Sequence, residues 1–122
     1  MPQTIVVLYQ EEGGSGPLLK WLDRLRDKSR AKVLVRIERL QELGNQLRRP
    51  EADYVRDGIY QFRISRRGVR HRVLYFFYGR TVAVLSPSLA KERHVPPRDL
   101  EAAVRRKDRF EADPEAHTYH EA

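Results

Sequence analysis

Three strand-forming runs separated by two short glycine turns occupy residues 59–86, and they leave this chain little choice of architecture. The first run, IYQFRIS at 59–65, alternates: Tyr60, Phe62 and Ile64 fall on one face, Gln61, Arg63 and Ser65 on the other. Arg66, Arg67 and Gly68 make the turn. The run from 70 to 78 then becomes almost continuously apolar through VLYFFY, as expected of a strand covered on both faces. Gly79 and Arg80 turn again into TVAVLS at 81–86, which Pro87 is expected to end. Strands this close in sequence are expected to pair as antiparallel neighbours.

The remaining elements follow from periodicity. TIVVLY at 4–9 is short and β-branched and reads as a strand, broken by EEGGSG. From 17 to 28, Leu18, Leu19, Leu22 and Leu25 recur at helical spacing with Trp21 alongside. A second helix is expected from 29 to 43, with Ser29 as cap, Val33, Ile37 and Leu40 as its stripe, and Gly44 closing it. Tyr54 and Val55 suggest a short strand before the turn at Asp57 and Gly58, and a third helix is expected from 97 to 110. The fold class is therefore α+β: two N-terminal helices packed on a mostly antiparallel sheet of about four strands, with a C-terminal helix. Residues 1–110 form one domain, and 111–122, which lack periodicity, are expected to be a flexible tail.

Charge is what separates this chain from an ordinary small domain. The formal net charge is +7, and it is concentrated: residues 45–110 hold sixteen Lys/Arg against seven Asp/Glu, while the rest is slightly acidic. Such segregation favours a phosphate-bearing or acidic partner. Several chemistries drop out. With no cysteine there is no disulfide, thiolate or zinc–cysteine site. EEGGSGP lacks the spaced glycines and lysine of a phosphate loop, and no serine sits in a nucleophile elbow. No metal or cofactor is expected: His117 and His120 have a chelating spacing but fall in the tail. No stretch approaches membrane-spanning length and no basic leader precedes the first apolar run, so the expected location is the cytoplasm.

What remains is a basic sheet. Arg63 projects away from Tyr60 and Phe62, and Arg72 on the next strand is a potential cross-strand neighbour. Two adjacent arginines call for an anion between them, or for an acid supplied by one of the first two helices. Residues 45–110 hold fourteen arginines but only two lysines. Arginine clamps a phosphate without exchanging a proton, so an acid/base step would fall to Lys91, His94 or His71. Arg66, Arg67, Arg70 and Arg93 add attraction for RNA, and Tyr75 is a candidate base-stacking residue.

The segments GIYQFRI, HRVLYFFYGRTVAVL and AKERHVPPRDLEAAVRR, in this order and spacing, resemble the phage-derived, HigB-like branch of the RelE/ParE toxin superfamily. The resemblance runs from about Leu18 to Phe110. It implies a toxin of a type II toxin–antitoxin pair that cuts mRNA on the bacterial ribosome and is neutralised by a cognate antitoxin protein. It also implies a metal-independent endoribonuclease, with RNA 2′-OH attack giving a cyclic phosphate. Arg63, Arg72 and Lys91 match the family's basic positions. Ser86-Pro87-Ser88 replaces a common HGF, and His94 stands where a lysine is usual, so His94 joins the catalytic candidates. The resemblance leaves two alternatives, a toxin of the same fold acting on DNA gyrase and an inactive RNA- or protein-binding module.

Overall fold

Alternation along the central strands decides which layer each helix occupies. The computed structural model describes residues 4–49, 51–66, 68–88 and 94–120, the side chains of Arg66 and Val69 excepted. In chain order the elements are β1 (Ile5–Leu8), α1 (Pro17–Arg24), α2 (Asp27–Leu43), β2 (Ala52–Arg56), β3 (Ile59–Arg66), β4 (Val69–Tyr78), β5 (Thr81–Ser88) and α3 (Pro97–Ala112). The class is α+β, with one sheet ordered β1-β5-β4-β3-β2. Strands β2 to β5 are successive antiparallel neighbours, while β1 lies parallel to β5. The sheet is thus mixed and five-stranded, where about four mostly antiparallel strands were expected. The sequence marks β1 as a strand but carries no signal for a parallel partner so far along the chain.

The helices take both faces, not one. Leu18, Trp21, Leu22, Val33 and Leu40 of α1 and α2 pack on Phe62, Ile64, Val73, Tyr75, Val82 and Val84. On the opposite face Leu100, Ala103 and Phe110 of α3 cover Ile59, Leu74, Phe76, Ala83 and Leu85. This explains the unbroken VLYFFY run: successive residues of β4 enter different cores, so none of the first four reaches water. Each fully buried Phe or Leu contributes about 1.5–3 kcal/mol through removal from water.

Several boundaries move for identifiable reasons. Helix α1 stops at Arg24, and α2 starts at Asp27 with Ser29 already buried inside it instead of capping it. Gly44 does close α2, at φ 54°, ψ −126°, a conformation open in practice to glycine alone. Strand β5 continues through Pro87 to Ser88, past the proline expected to stop it. Leu74 faces Ser86 while Tyr75 faces Val84, so Leu85 is bypassed by a bulge that absorbs the irregularity.

Beyond α3, the chain from Asp113 to His120 returns to the end of β1 and the residues that follow it. The Gln10 amide donates to the His117 carbonyl at 2.9 Å and the Tyr119 amide to the Leu8 carbonyl at 2.8 Å. His117 is buried and stacks on Tyr9 at 5.3 Å between ring centres, while its Nδ1 lies 2.9 Å from the Gln10 carbonyl. These contacts pair the end of β1 and the two residues after it, where backbone would otherwise be left unpaired.

Candidate functional site

Strand β2 is shorter than its neighbour, and that difference opens the site. Its pairing with β3 ends at Ala52 opposite Phe62, so the last residues of β3 have no strand on that side. Side chains of α2 serve the exposed carbonyls instead: Arg36 Nε donates to the Arg63 carbonyl at 3.1 Å and Lys32 Nζ to the Ser65 carbonyl at 2.7 Å. The Arg63 amide donates to the Glu51 carbonyl at 3.0 Å. Glu51 in turn receives Arg36 Nη1 at 2.7 Å and Arg39 Nη2 at 2.9 Å. The Arg39 hydrogen bond, aided by both positive charges, holds its carboxyl below the usual range.

Across the sheet, Arg63 faces Arg72 and Arg72 faces Ser88, forming a polar row over β3, β4 and β5. This is the cross-strand pairing expected of the two arginines. Arg72 is buried, and the Arg63 side chain is only 21% exposed. Like charges directly opposite destabilise a sheet unless compensated. Part of the compensation is Asp53, whose Oδ2 lies 2.7 Å from Arg63 Nη2. The acid comes from β2, not from either of the first two helices. Asp53 also accepts from Gln61 Nε2 at 2.9 Å and lies 3.2 Å from Arg49 Nε. Burial acts to raise the Asp53 pKa, but the hydrogen bonds from Arg63 and Gln61 and the charges of Arg63 and Arg49 outweigh it, leaving it lowered. At the other end of the row Ser88 Oγ donates to Asp99 Oδ2 at 2.7 Å, fastening β5 to the start of α3.

These groups border a cleft of about 1170 Å³. Among its described lining residues six are Lys or Arg, and Asp53 is the one carboxylate. The cleft brings together Arg63, Arg70, Arg72 and His94 from the sequence candidates, with Arg70 and His94 both exposed. Lys32, Arg36, Arg49, Asp53 and Gln61 join them and were not singled out from sequence. Lys91, Arg67 and Arg93 lie outside the described residues, as does the side chain of Arg66.

Two aromatic candidates are not brought to the cleft. Tyr75 is 1% exposed and packs with Tyr60 and Phe62 in the core beneath α1 and α2. Burial pushes its phenol pKa upward, and its face is the one opposite Arg72, so the base-stacking role expected of it is withdrawn. His71 also turns away from the arginine row by alternation and approaches Trp21, with ring centres 5.9 Å apart. His94 is therefore the histidine that the cleft retains. An imidazole can both take and give a proton, while the arginines supply positive charge. Among the described residues no group of three or more His, Asp or Glu is placed to hold a metal ion, and no helix is long and apolar enough to cross a membrane.

Comparison with known proteins gives one family. The sequence pattern of the family described as phage derived protein Gp49-like (DUF891) matches residues 20–108. That interval contains α2, β2 to β5 and most of α1 and α3, together with every residue of the cleft named above. No curated protein matches the chain.

Proposed function

The chain belongs to the Gp49-like phage-derived family, a RelE/toxin-like family, and on that premise we propose that it is the toxin of a type II toxin–antitoxin pair, cutting mRNA on the ribosome. The observation that carries this reading is the row of Arg63 and Arg72 facing a cleft lined by cations. Such a surface attracts a phosphodiester backbone, and its arginines remain charged at every physiological pH.

The reaction is a transesterification. The RNA 2′-oxygen attacks the adjacent phosphorus, the P–O5′ bond breaks, and the products are a 2′,3′-cyclic phosphate and a 5′-hydroxyl. Negative charge grows on the phosphoryl oxygens as the new bond forms, and Arg63 and Arg72 are assigned to stabilise it. One group must take the 2′-hydroxyl proton and another must return a proton to O5′. His94 and Lys91 are assigned those steps. The antitoxin is expected to carry an acidic segment complementary to the same cleft.

Induced expression followed by primer extension on a cellular mRNA tests the reading. Wild-type protein should create new 5′ ends within codons, and H94A or K91A should reduce them by about 10²- to 10⁴-fold. Full cleavage by both variants would remove them from the proton-transfer roles. Loss of DNA supercoiling without new mRNA ends would instead favour action on gyrase, and neither effect would favour a binding module.

A further inference from the structure

Tyr54 leaves a large aromatic ring in solvent beside a cleft bordered by arginines. Five large hydrophobic side chains are exposed among the described residues, and two of them, Val35 and Tyr54, line this cleft. Tyr54 is 54% exposed and belongs to β2, which forms one edge of the sheet. Its ring is nonetheless held in place. Tyr60, its partner across the strands, meets it at 74° with ring centres 5.0 Å apart. Tyr60 is braced in turn by Tyr75 at 5.6 Å and Phe77 at 5.0 Å. At the far end of the side chain, the Gly58 amide donates to Tyr54 Oη at 3.0 Å. A ring fixed in this way loses little conformational freedom when a flat group is laid against it.

The course of the cleft narrows what that group is. Tyr54 shares a face with Tyr60 and so projects from the side of the sheet opposite Asp53 and Arg63. Val35 and Arg36 of α2 line the cleft on the Tyr54 side and Arg63 and Arg72 on the other, so the cleft passes round the edge of the sheet. Arg49, with its side chain 82% exposed, lines it as well. Along β3, Arg63 lies three residues beyond Tyr60, about 10 Å away, within reach of neighbouring nucleotides on one strand. A ligand suited to this path carries anionic groups and, at short intervals, flat apolar faces. Single-stranded RNA has both, whereas the bases of a duplex are stacked on one another. An acidic peptide satisfies the cations equally, but a fixed ring favours a planar group over a flexible aliphatic one. We propose that Tyr54 is a base-stacking residue, taking an unpaired base of the strand whose phosphates lie on the arginines of the cleft. The proposal rests on the RNA reading above and deepens it.

The test is equilibrium binding of the full chain to labelled oligouridylate and to an abasic ribose-phosphate oligomer of the same length and charge. Wild-type protein should bind oligouridylate about tenfold more tightly, the effect of one stacked base. Tyr54→Leu should remove that difference while keeping affinity for the abasic oligomer. Tyr54→Phe, which keeps the ring and loses only the hydroxyl, should bind as wild type does. Because no charge is removed, the salt dependence of oligouridylate binding should have the same slope in all three proteins. Equal wild-type affinity for the two oligomers overturns the inference, leaves the cleft as a backbone-binding RNA site and favours a protein occupant for its apolar wall. A difference that survives in Tyr54→Leu, or a slope that falls with it, also overturns the inference. Failure to bind either oligomer overturns both this inference and the RNA reading beneath it. Should Tyr54→Leu not fold, photocrosslinking of wild type with a 4-thiouridine oligomer decides: the crosslink should map to Tyr54, and crosslinks confined to other residues overturn the inference.

Discussion

Asp53 gathers three partners, Arg63, Gln61 and Arg49, and its lowered pKa ties the cleft to the stability of the sheet. A carboxyl whose pKa falls on folding adds stability that is complete above its unfolded value, about 3.9. That contribution disappears as pH drops through the lower folded value. Asp53→Asn should therefore lower unfolding free energy by about 1–3 kcal/mol at pH 7. The gap to wild type should narrow as pH falls below about 4, which urea melts across that range would measure. Arg63 and Arg72 were legible as a facing pair because strand alternation and a short hairpin fix both side and register. Asp53 was not, because its place opposite Gln61 depends on an irregularity between Tyr54 and Arg56 that no local pattern announces. Tyr75 was legible too: counted from Arg72, alternation alone puts it on the opposite face, among Val73 and Phe62.

At the level of elements, helix α3 and the residues beyond it show how the second face is assembled. Periodicity identified α3, but which side of the sheet it would cover is a tertiary matter, decided by where Ile59, Leu74 and Phe76 project. The segment after it is silent to any periodic reading because its contacts come from backbone and from one ring, not from a repeating stripe. His117 stacks on Tyr9 with the planes 3° apart, and Tyr9 Oη donates to Glu11 Oε2 at 3.1 Å. Glu11 also binds Arg106 at 3.1 Å and Arg109 at 3.2 Å, so α3 and the segment after it grip one stretch of chain beyond β1. His117→Ala should cost about 1–2 kcal/mol, read as a lowered denaturant midpoint with an unchanged slope. An unchanged midpoint would mean that the backbone bonds alone hold the segment.

For the molecule as a whole, the uneven charge of the sequence becomes a surface with direction: among the described residues six basic side chains border one cleft, while residues 111–122 hold four acids and no Lys or Arg. Binding to single-stranded RNA should weaken steeply with salt, by about 0.7 in log–log slope for each phosphate contact. Arg70 is exposed at the cleft, so Arg70→Ala should reduce that slope by about 0.7 and leave the melting temperature unchanged. An unaltered slope would remove Arg70 from the phosphate path. The sheet order has a further effect on when this surface exists. Ile5 pairs with Thr81, and the arginine row closes on Ser88, which is then fastened by Asp99. A growing chain thus carries its positive charge well before it carries a shaped cleft, and its first strand waits for almost its last. On a ribosome, the protein proposed to cut mRNA there acquires a formed site only after Asp99 has emerged.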